Sequence, residues 1–463
     1  MSGPADTPAP APAPPGRAAA LAEAGRMLRL AGPVMAARAG LVVMLTVDTL
    51  MTGQAAGREV AYLGLGLSPL MVFMLASVGL LQGAMVLVAQ ANGARDYARC
   101  GAIWRVALIH AGALGAVFMA IPFAAEPLFL AIGHSPDLAR GAAGVTFQFA
   151  WGMPGLLLYI ACGYFMEGIG RPRAGMAIML AANVVNVLAD GIFVLGWWGL
   201  VEPMGAAGAM MTTSAIRWGI FAVMLAVVLT LPDRAKYGIG RGMARRPGIV
   251  RGIWRIGLPV AATGGIENGA YATLAQMAGL LGAAALAAHQ VTINLLTLAY
   301  MGANGMAAAT SVRVGFAVGR RDRAGMSLSG WTGIALGTAL MTGIAALFIA
   351  FPAAIGDIFL HTDADSLAIA AGTIVAAGLF MPLAGAMSVA MGALRGAGDM
   401  GTAMAAYALG FLVVGIPAAW AFAFPLGHGA AGLIWGLMTG VGAALIVLVA
   451  RFRVIARREV RRL

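Results

Sequence analysis

Residues 60–94 read VAYLGLGLSPLMVFMLASVGLLQGAMVLVAQANGA, and none of these thirty-five residues is charged. The hydrocarbon core of a bilayer is about 30 Å thick, and a helix crosses it in about 20 apolar residues. This stretch is therefore long enough for a transmembrane helix. Similar apolar runs recur along the chain, and we count twelve, numbered here as spans 1 to 12. Their centres lie near residues 42, 75, 114, 150, 186, 218, 269, 301, 340, 380, 412 and 440.

The composition supports a membrane protein. Of the 463 residues, 61% are hydrophobic and 10% are charged, whereas soluble domains carry about 25% charged residues. This composition excludes a cytosolic enzyme, a secreted scaffold and an array of nucleic-acid-binding domains. The two cysteines, Cys100 and Cys162, give no disulfide framework.

The positive charge is distributed asymmetrically about the spans. The net charge is +12, yet the odd-numbered connections carry only Arg58 and Arg140. Cytoplasmic connections of membrane proteins are enriched in Lys and Arg. We therefore expect both termini and the even-numbered connections to be cytoplasmic, in a multi-pass protein of the cell inner (plasma) membrane. The charge then reflects orientation, and no nucleic acid partner is expected.

The two halves of the chain repeat one another. Matched residues lie 226 to 228 positions apart, and Gly93-Ala-Arg-Asp96 matches Gly319-Arg-Arg-Asp322. Each half holds six spans, so the copies enter the membrane in the same orientation and are related by an axis along the membrane normal. The paired residues are Pro33 with Pro259, Gly53 with Gly279, Asp96 with Asp322, Trp104 with Trp331, Pro154 with Pro382, and Gly168 with Gly396.

These patterns predict an all-α polytopic membrane protein with twelve transmembrane helices. Two six-helix lobes are related by a pseudo-two-fold axis along the membrane normal, with a cleft between them that suits alternating access. The predicted segments are a disordered cytoplasmic tail (1–26), an N-terminal lobe (27–231), a cytoplasmic linker (232–255), a C-terminal lobe (256–452) and a basic cytoplasmic tail (453–463).

Three acidic residues lie within the apolar spans: Asp48, Asp190 and Glu267. A carboxylate near mid-bilayer costs about 2.5–3.5 kcal/mol on insertion scales. Asp48 either caps the outer end of span 1 or belongs to a cation or proton site. Asn183, Asn186 and Asp190 share one helix face, which fits either an ion site or a network that ties helices together.

Further polar residues mark the other spans. Thr263, Glu267 and Tyr271 form a stripe on span 7, and Glu267 is also a candidate coupling site. The polar residues of span 8 fit helix packing. Arg217 interrupts span 6, and we expect it to pair with Asp48 or Asp190 rather than to bind substrate. The candidate cavity-lining residues are Thr263, Tyr271, Gln290, Asn294 and Arg217; Thr297 and Asn304 complete the span 8 set.

Four prolines lie inside spans, where the missing backbone hydrogen bonds permit bending. They occur in equivalent positions of the two halves: Pro33 and Pro259, and Pro154 and Pro382. His110 and His289 are isolated, so no metal site is expected.

Enzyme signatures are missing from the sequence. Lys236 is the sole lysine and lies in no Gly-rich loop, so there is no Walker A motif. No Gly-x-Ser-x-Gly or His-Glu-x-x-His motif occurs. We therefore expect no enzyme activity, no catalytic residue and no cofactor, and any uphill transport must draw on an ion gradient.

Several motifs of the sequence, over residues 27 to about 450, resemble those of the multidrug and toxic compound extrusion (MATE) transporters. The resemblance implies two lobes in a V around a central cavity, and export of mostly cationic or amphiphilic drugs in exchange for protons or sodium. The motifs are Pro33, Val47-Asp-Thr-Leu-Met-Thr-Gly53, the span 5 stripe ending at Asp190, Gly257-Leu-Pro-Val260 followed by Glu267, Ala287-Ala-His-Gln-Val291, Arg313-Val-Gly315 and Gly392-Ala-Leu-Arg-Gly396.

The resemblance also implies roles for individual residues. Asp48 matches the first-span acid of the family, and Asn186 and Asp190 match the fifth-span pair that coordinates the coupling ion. Glu267 matches the seventh-span acid of the cation site in the sodium-coupled branch. That branch has an aspartate in span 10, where this chain has Ala384. The C-terminal lobe therefore has one carboxylate at this site, which favours proton coupling.

The sequence thus predicts a monomeric antiporter that exports small organic cations, with Asp48 and Asp190 binding proton and substrate in turn. Its partners are these cations, protons or sodium ions, and the lipid bilayer. Three alternatives remain: a sodium-coupled antiporter of the same family, a lipid or oligosaccharide flippase, and an intramembrane enzyme. A flippase needs a cationic cavity, for which only Arg217 is available. An enzyme would need Asp48 and Asp190 to act as an aspartyl dyad.

Overall fold

The computed structural model describes residues 16–240, 247–357 and 364–458, which fold into helices joined by short connections, and no strand occurs among them. Eleven of the described helices are long and apolar enough to cross a membrane. Pro247–Leu280 is also long enough, at 34 residues, but Glu267, Asn268 and its glycines make it less apolar. The prediction of an all-α protein with twelve long helices is confirmed.

We number the twelve long helices in chain order, so that each corresponds to the span of the same number. The N-terminal lobe comprises α1 (Arg17–Ala55), α2 (Gly57–Gly93), α3 (Tyr97–Ala120), α4 (Pro136–Gly168), α5 (Arg173–Phe193) and α6 (Gly205–Leu229). The C-terminal lobe comprises α7 (Pro247–Leu280), α8 (Ala283–Arg320), α9 (Arg323–Ala350), α10 (Ala364–Ala397), α11 (Met400–Ala423) and α12 (Gly429–Arg457).

Three predicted segment boundaries fall inside helices. Helix α1 begins at Arg17, so residues 17–26, expected to be disordered, are helical. Helix α7 begins at Pro247, within the predicted linker, and α12 continues to Arg457, beyond the predicted lobe end at residue 452. Residues 1–15, 241–246 and 459–463 of the predicted tails and linker lie outside the described residues. Hydropathy locates the part of a helix that crosses the lipid, whereas strong helix formers such as Ala, Leu, Glu and Arg extend it into water.

The repeated string Gly-x-Arg-Asp forms the same turn in both lobes. Arg95 and Arg321 have positive φ angles of 61° and 58°, which end α2 and α8. The following aspartates cap the next helices: Asp96 accepts a hydrogen bond from Arg99 N at 3.1 Å, and the Asp322 side chain accepts one from the backbone of α9. A short helix then follows the third helix of each lobe, Pro122–Ile132 and Pro352–Asp357. The repeat therefore encodes a shared local structure.

The lobes pack together at the end of the bundle where α1 begins and α12 ends, called here the terminal end. Helix α2 packs on α7 and α8, and α1 packs on α8. Glycines bring the backbones into contact: a Cβ added to Gly319 would lie 2.1 Å from Gln90 O, and one added to Gly93 would lie 2.3 Å from Phe316 O. Larger side chains would force these helices apart.

Gly257→Ala is expected to weaken this lobe interface. The added Cβ would lie 2.1 Å from Leu80 O, which is backbone and cannot rotate away, and overpacking of this kind costs about 1–3 kcal/mol. We expect a lower melting temperature of the purified protein. Gly264→Ala on the same helix is the matched control, because its Cβ would meet nothing within 4 Å. Equal melting temperatures for the two variants would contradict the close packing of Gly257 against Leu80 at this interface.

Candidate functional site

Asp48 and Asp190 meet inside the N-terminal lobe. Helix α1 packs on α5 and α6, which brings Asp48 of α1 to Asp190 of α5. Both side chains are fully buried, and so is Asn186. The two carboxyl groups lie within hydrogen-bonding reach of each other. The sequence predicted both residues as candidates, and the structure places them in one cluster.

Asn186 bridges the two acids. Its Nδ2 atom donates to Asp48 Oδ1 at 3.0 Å and to Asp190 Oδ2 at 3.2 Å. The spacing of four residues on α5 places Asn186 and Asp190 on one face of that helix. Asn186 Oδ1 has no hydrogen-bond donor among the described residues. The cluster therefore retains a buried acceptor beside two carboxyl groups.

Two threonines of α6 complete the cluster. Thr213 Oγ1 lies 2.9 Å from both carboxyl oxygens of Asp48 and donates its single hydrogen to this carboxyl group. The Thr212 hydroxyl is hydrogen-bonded to Asp190. Sequence reasoning did not select these threonines. The sequence signal for them is a pair of adjacent hydroxyl residues in an apolar span, one turn from Arg217. This signal is weak, because hydroxyl side chains also hydrogen-bond within their own helix.

Arg217 does not form the predicted ion pair. Its guanidinium lies over the Phe149 ring, with Cζ 4.4 Å from the ring centroid, and Nη1 is 3.9 Å from Met153 Sδ. No carboxylate of the described residues forms a salt bridge with it. The reason is geometric: Asp48 already accepts hydrogen bonds from Thr213 and Asn186, and Arg217 lies a turn further along α6.

Asn183 lies outside the carboxyl cluster. It is half-buried, and its Nδ2 donates to Met179 O of its own helix at 2.8 Å. It continues the polar stripe of α5 one turn beyond Asn186. The structure therefore brings together Asp48, Asn186 and Asp190 from the predicted N-lobe set and leaves Asn183 beside them.

Glu267 lies in a separate aromatic cluster of the C-terminal lobe. It is half-buried on α7 and lies beside Tyr300 of α8. Tyr271 packs edge-on against Phe411 with ring centroids 6.4 Å apart, and Tyr407 stacks on Phe411 at 5.5 Å. Tyr300 and Tyr407 were not predicted. Phe411 lies in a π-helical segment of α11, Ala408–Gly415, which sequence periodicity does not reveal.

The remaining predicted residues are dispersed. The buried Thr263 hydroxyl donates to Val260 O at 2.7 Å, and Gln290 and Asn294 are exposed on α8. Within the described ranges, no three His, Cys, Asp or Glu residues are grouped as metal ligands. The four prolines lie inside helices α1, α4, α7 and α10: Pro33, Pro154, Pro259 and Pro382.

Comparisons with known proteins identify the family. The MatE family model matches residues 33–192 and 259–421. A probable multidrug resistance protein NorM of Caulobacter vibrioides is 32% identical over 436 residues, covering 94% of this chain and 92% of the relative. One from Pseudomonas putida is 30% identical over 432 residues, covering 92% and 93%.

Solved structures share the fold. An outward-facing multidrug resistance MATE transporter of the MOP superfamily matches with a TM-score of 0.86 at 20% identity, covering 94% of this chain and 97% of that chain. A eukaryotic MATE transporter, AtDTX14, matches with a TM-score of 0.84 at 17% identity, covering 95% and 98%. The chain therefore belongs to the MatE family of multidrug efflux transporters, which are multi-pass membrane proteins rather than enzymes.

Proposed function

We propose that this chain is a proton-coupled antiporter that exports small cationic or amphiphilic drugs and metabolites. Asp48 and Asp190 bind the proton and the cation in turn. The observation that carries the proposal is the pair of buried carboxyl groups bridged by one amide donor, Asn186 Nδ2. The names of the NorM relatives support drugs as the substrate class.

The contacts of the acid pair support a proton as the coupling ion. Two carboxyl groups in mutual hydrogen-bonding reach are stabilised by sharing one proton, because adjacent like charges repel. A proton that enters halves the negative charge of the pair and so weakens its attraction for a bound cation. After the lobes reorient, loss of the proton restores the negative charge.

The C-terminal lobe supports the same choice over sodium. Sodium coordination there would need several oxygen ligands around Glu267. The groups near Glu267 are the hydroxyl-bearing side chains of Tyr271, Tyr300 and Tyr407, and the span 10 position of the second acid is the buried Ala384. Glu267 is then an additional proton or substrate site facing an aromatic cluster.

The proposed orientation places the terminal end in the cytoplasm. The arginine-rich connections α2–α3, α4–α5 and α8–α9 all lie at this end, as positive-inside topology requires. Residues 1–26 and 453–463 then face the cytoplasm, and residues 232–255 join lobes 27–231 and 256–452 on that side.

We infer a monomer in the inner membrane, where one monovalent cation leaves for each proton that enters. Such exchange moves no net charge, so the pH gradient supplies about 1.4 kcal/mol per unit.

Efflux from vesicles tests the coupling ion. Purified protein in liposomes loaded with ethidium is exposed to an imposed pH gradient or, in parallel, to a sodium gradient at equal pH. We expect the pH gradient alone to drive ethidium release and nigericin, which collapses this gradient, to stop it. Empty liposomes are the control. Release that follows the sodium gradient at equal pH would overturn proton coupling.

A further inference from the structure

Arg217 is a buried cation that the proposed exchange of proton and drug does not yet use. It is 8% exposed, and its guanidinium contacts the Phe149 ring and Met153 Sδ, both on α4. A charged side chain inside a membrane protein is costly unless nearby charge offsets it. An apolar side chain would fill the space beside Phe149 and Met153 without that cost, so packing alone does not account for an arginine.

The position of Arg217 links it to the acid pair. It lies four residues after Thr213 on α6, so the two share a helix face, and Thr213 donates to Asp48. Asp48 is the carboxyl group that attracts the Arg217 guanidinium electrostatically. The charged groups that face this region are Asp48 from α1, Asp190 from α5 and Arg217 itself, while α4 presents Phe149 and Met153.

These three groups set the positive charge that the buried cluster can accept. Two ionised carboxylates and one guanidinium leave a net charge of −1. One proton or one monovalent cation brings this total to zero. A dication would leave a buried net charge of +1, which is unfavourable away from water.

We propose that Arg217 is a specificity-determining residue that limits the buried cluster around Asp48 and Asp190 to one positive charge in each cycle. The substrate class is then monovalent organic cations, and dications are rejected. This inference rests on the proposed function, because it takes Asp48 and Asp190 to be the exchange site. Arg217 acts through the net charge of the cluster and does not itself contact the exchanged ion.

Ethidium and propidium test this inference, because they share a phenanthridinium core but carry one and two positive charges. Efflux of both dyes is measured in liposomes containing wild type, Arg217→Met or Arg217→Lys. We expect wild type and Arg217→Lys to prefer ethidium about tenfold, the factor that 1.4 kcal/mol gives. We expect Arg217→Met to lose or reverse this preference. The matched control is Arg140→Met, because the Arg140 side chain is 77% exposed.

A second measurement counts charge in the wild type and does not depend on any variant folding. Ethidium efflux driven by a fixed pH gradient is recorded at several imposed membrane potentials. Independence from the potential agrees with one charge exchanged for one proton, whereas steep dependence overturns the inference.

The outcomes separate this inference from the proposed function. Export by Asp48→Asn would remove the proposed function itself. If Asp48→Asn is inactive but folded Arg217→Met keeps the wild-type dye ratio, only the role of Arg217 is overturned.

Discussion

Asp48→Asn is expected to reduce drug export to background while the protein still folds. The asparagine side chain has the same shape but carries no negative charge and does not gain or lose a proton near neutral pH. Thr213 can still donate to its carbonyl oxygen, so most of the packing around the fully buried site is kept. The measurement is ethidium efflux from liposomes under a pH gradient, together with drug resistance of cells expressing the variant.

The control for this experiment is Glu202→Gln, because Glu202 is exposed in the loop before α6. It removes the same charge outside the buried cluster, and we expect wild-type export. We also expect a lower melting temperature for Asp48→Asn. The free energy of unfolding should fall by about 1–3 kcal/mol, because Asn186 Nδ2 loses a charged hydrogen-bond acceptor. Full drug resistance at normal expression levels of Asp48→Asn would contradict the role of the acid pair.

Much of the fold could be predicted because its signals are local in sequence. Apolar runs of about 20 residues identify transmembrane helices, and the string at Gly93 and Gly319 repeats with its turn. The α5 stripe placed Asn186 and Asp190 on one face, since helical periodicity fixes direction along a single helix. These predictions required no knowledge of which helices are neighbours.

The contacts between helices could not be predicted in the same way. Thr213 meets Asp48 across 165 positions of the chain, and no spacing rule connects them. Arg217 interacts electrostatically with Asp48 but forms no salt bridge with it among the described residues, because the sequence gives the charges of the two groups and not the distance between them. Tyr300 lies near Glu267 because α7 packs on α8, and this packing is likewise a property of the tertiary structure.

A buried ion pair joins the two lobes at the terminal end, and it was not predicted from the sequence. Glu23 of α1 is 2% exposed. Its Oε1 accepts hydrogen bonds from Arg313 Nε at 2.8 Å and Ser329 Oγ at 2.6 Å, and its Oε2 accepts one from Arg313 Nη2 at 2.6 Å. Arg313 lies on α8 and Ser329 on α9, so one carboxylate joins the N-terminal lobe to two helices of the C-terminal lobe.

Glu23→Gln is therefore expected to open the terminal end. Removing one partner of a buried ion pair costs about 3–5 kcal/mol, and this cost falls on the closed arrangement, in which Arg313 loses its counter-charge. In the proposed exchange cycle the pair separates when the lobes reorient, so the population of the open arrangement should rise more than about a hundredfold. Spin labels at Ala98→Cys and Ala324→Cys, both exposed at the starts of α3 and α9, report the distance between the lobes, while native Cys100 and Cys162 are buried.

We expect Glu23→Gln to add a longer distance to the distribution measured by pulsed electron paramagnetic resonance. Arg26→Gln is the matched control, since the Arg26 side chain is 54% exposed where it pairs with Glu23, and exposed pairs contribute about 1 kcal/mol or less. The double variant Glu23→Arg with Arg313→Glu restores opposite charges and should recover part of the short distance. An unchanged distribution in Glu23→Gln would show that glycine packing between α2 and the helices α7 and α8 holds the terminal end closed without the ion pair.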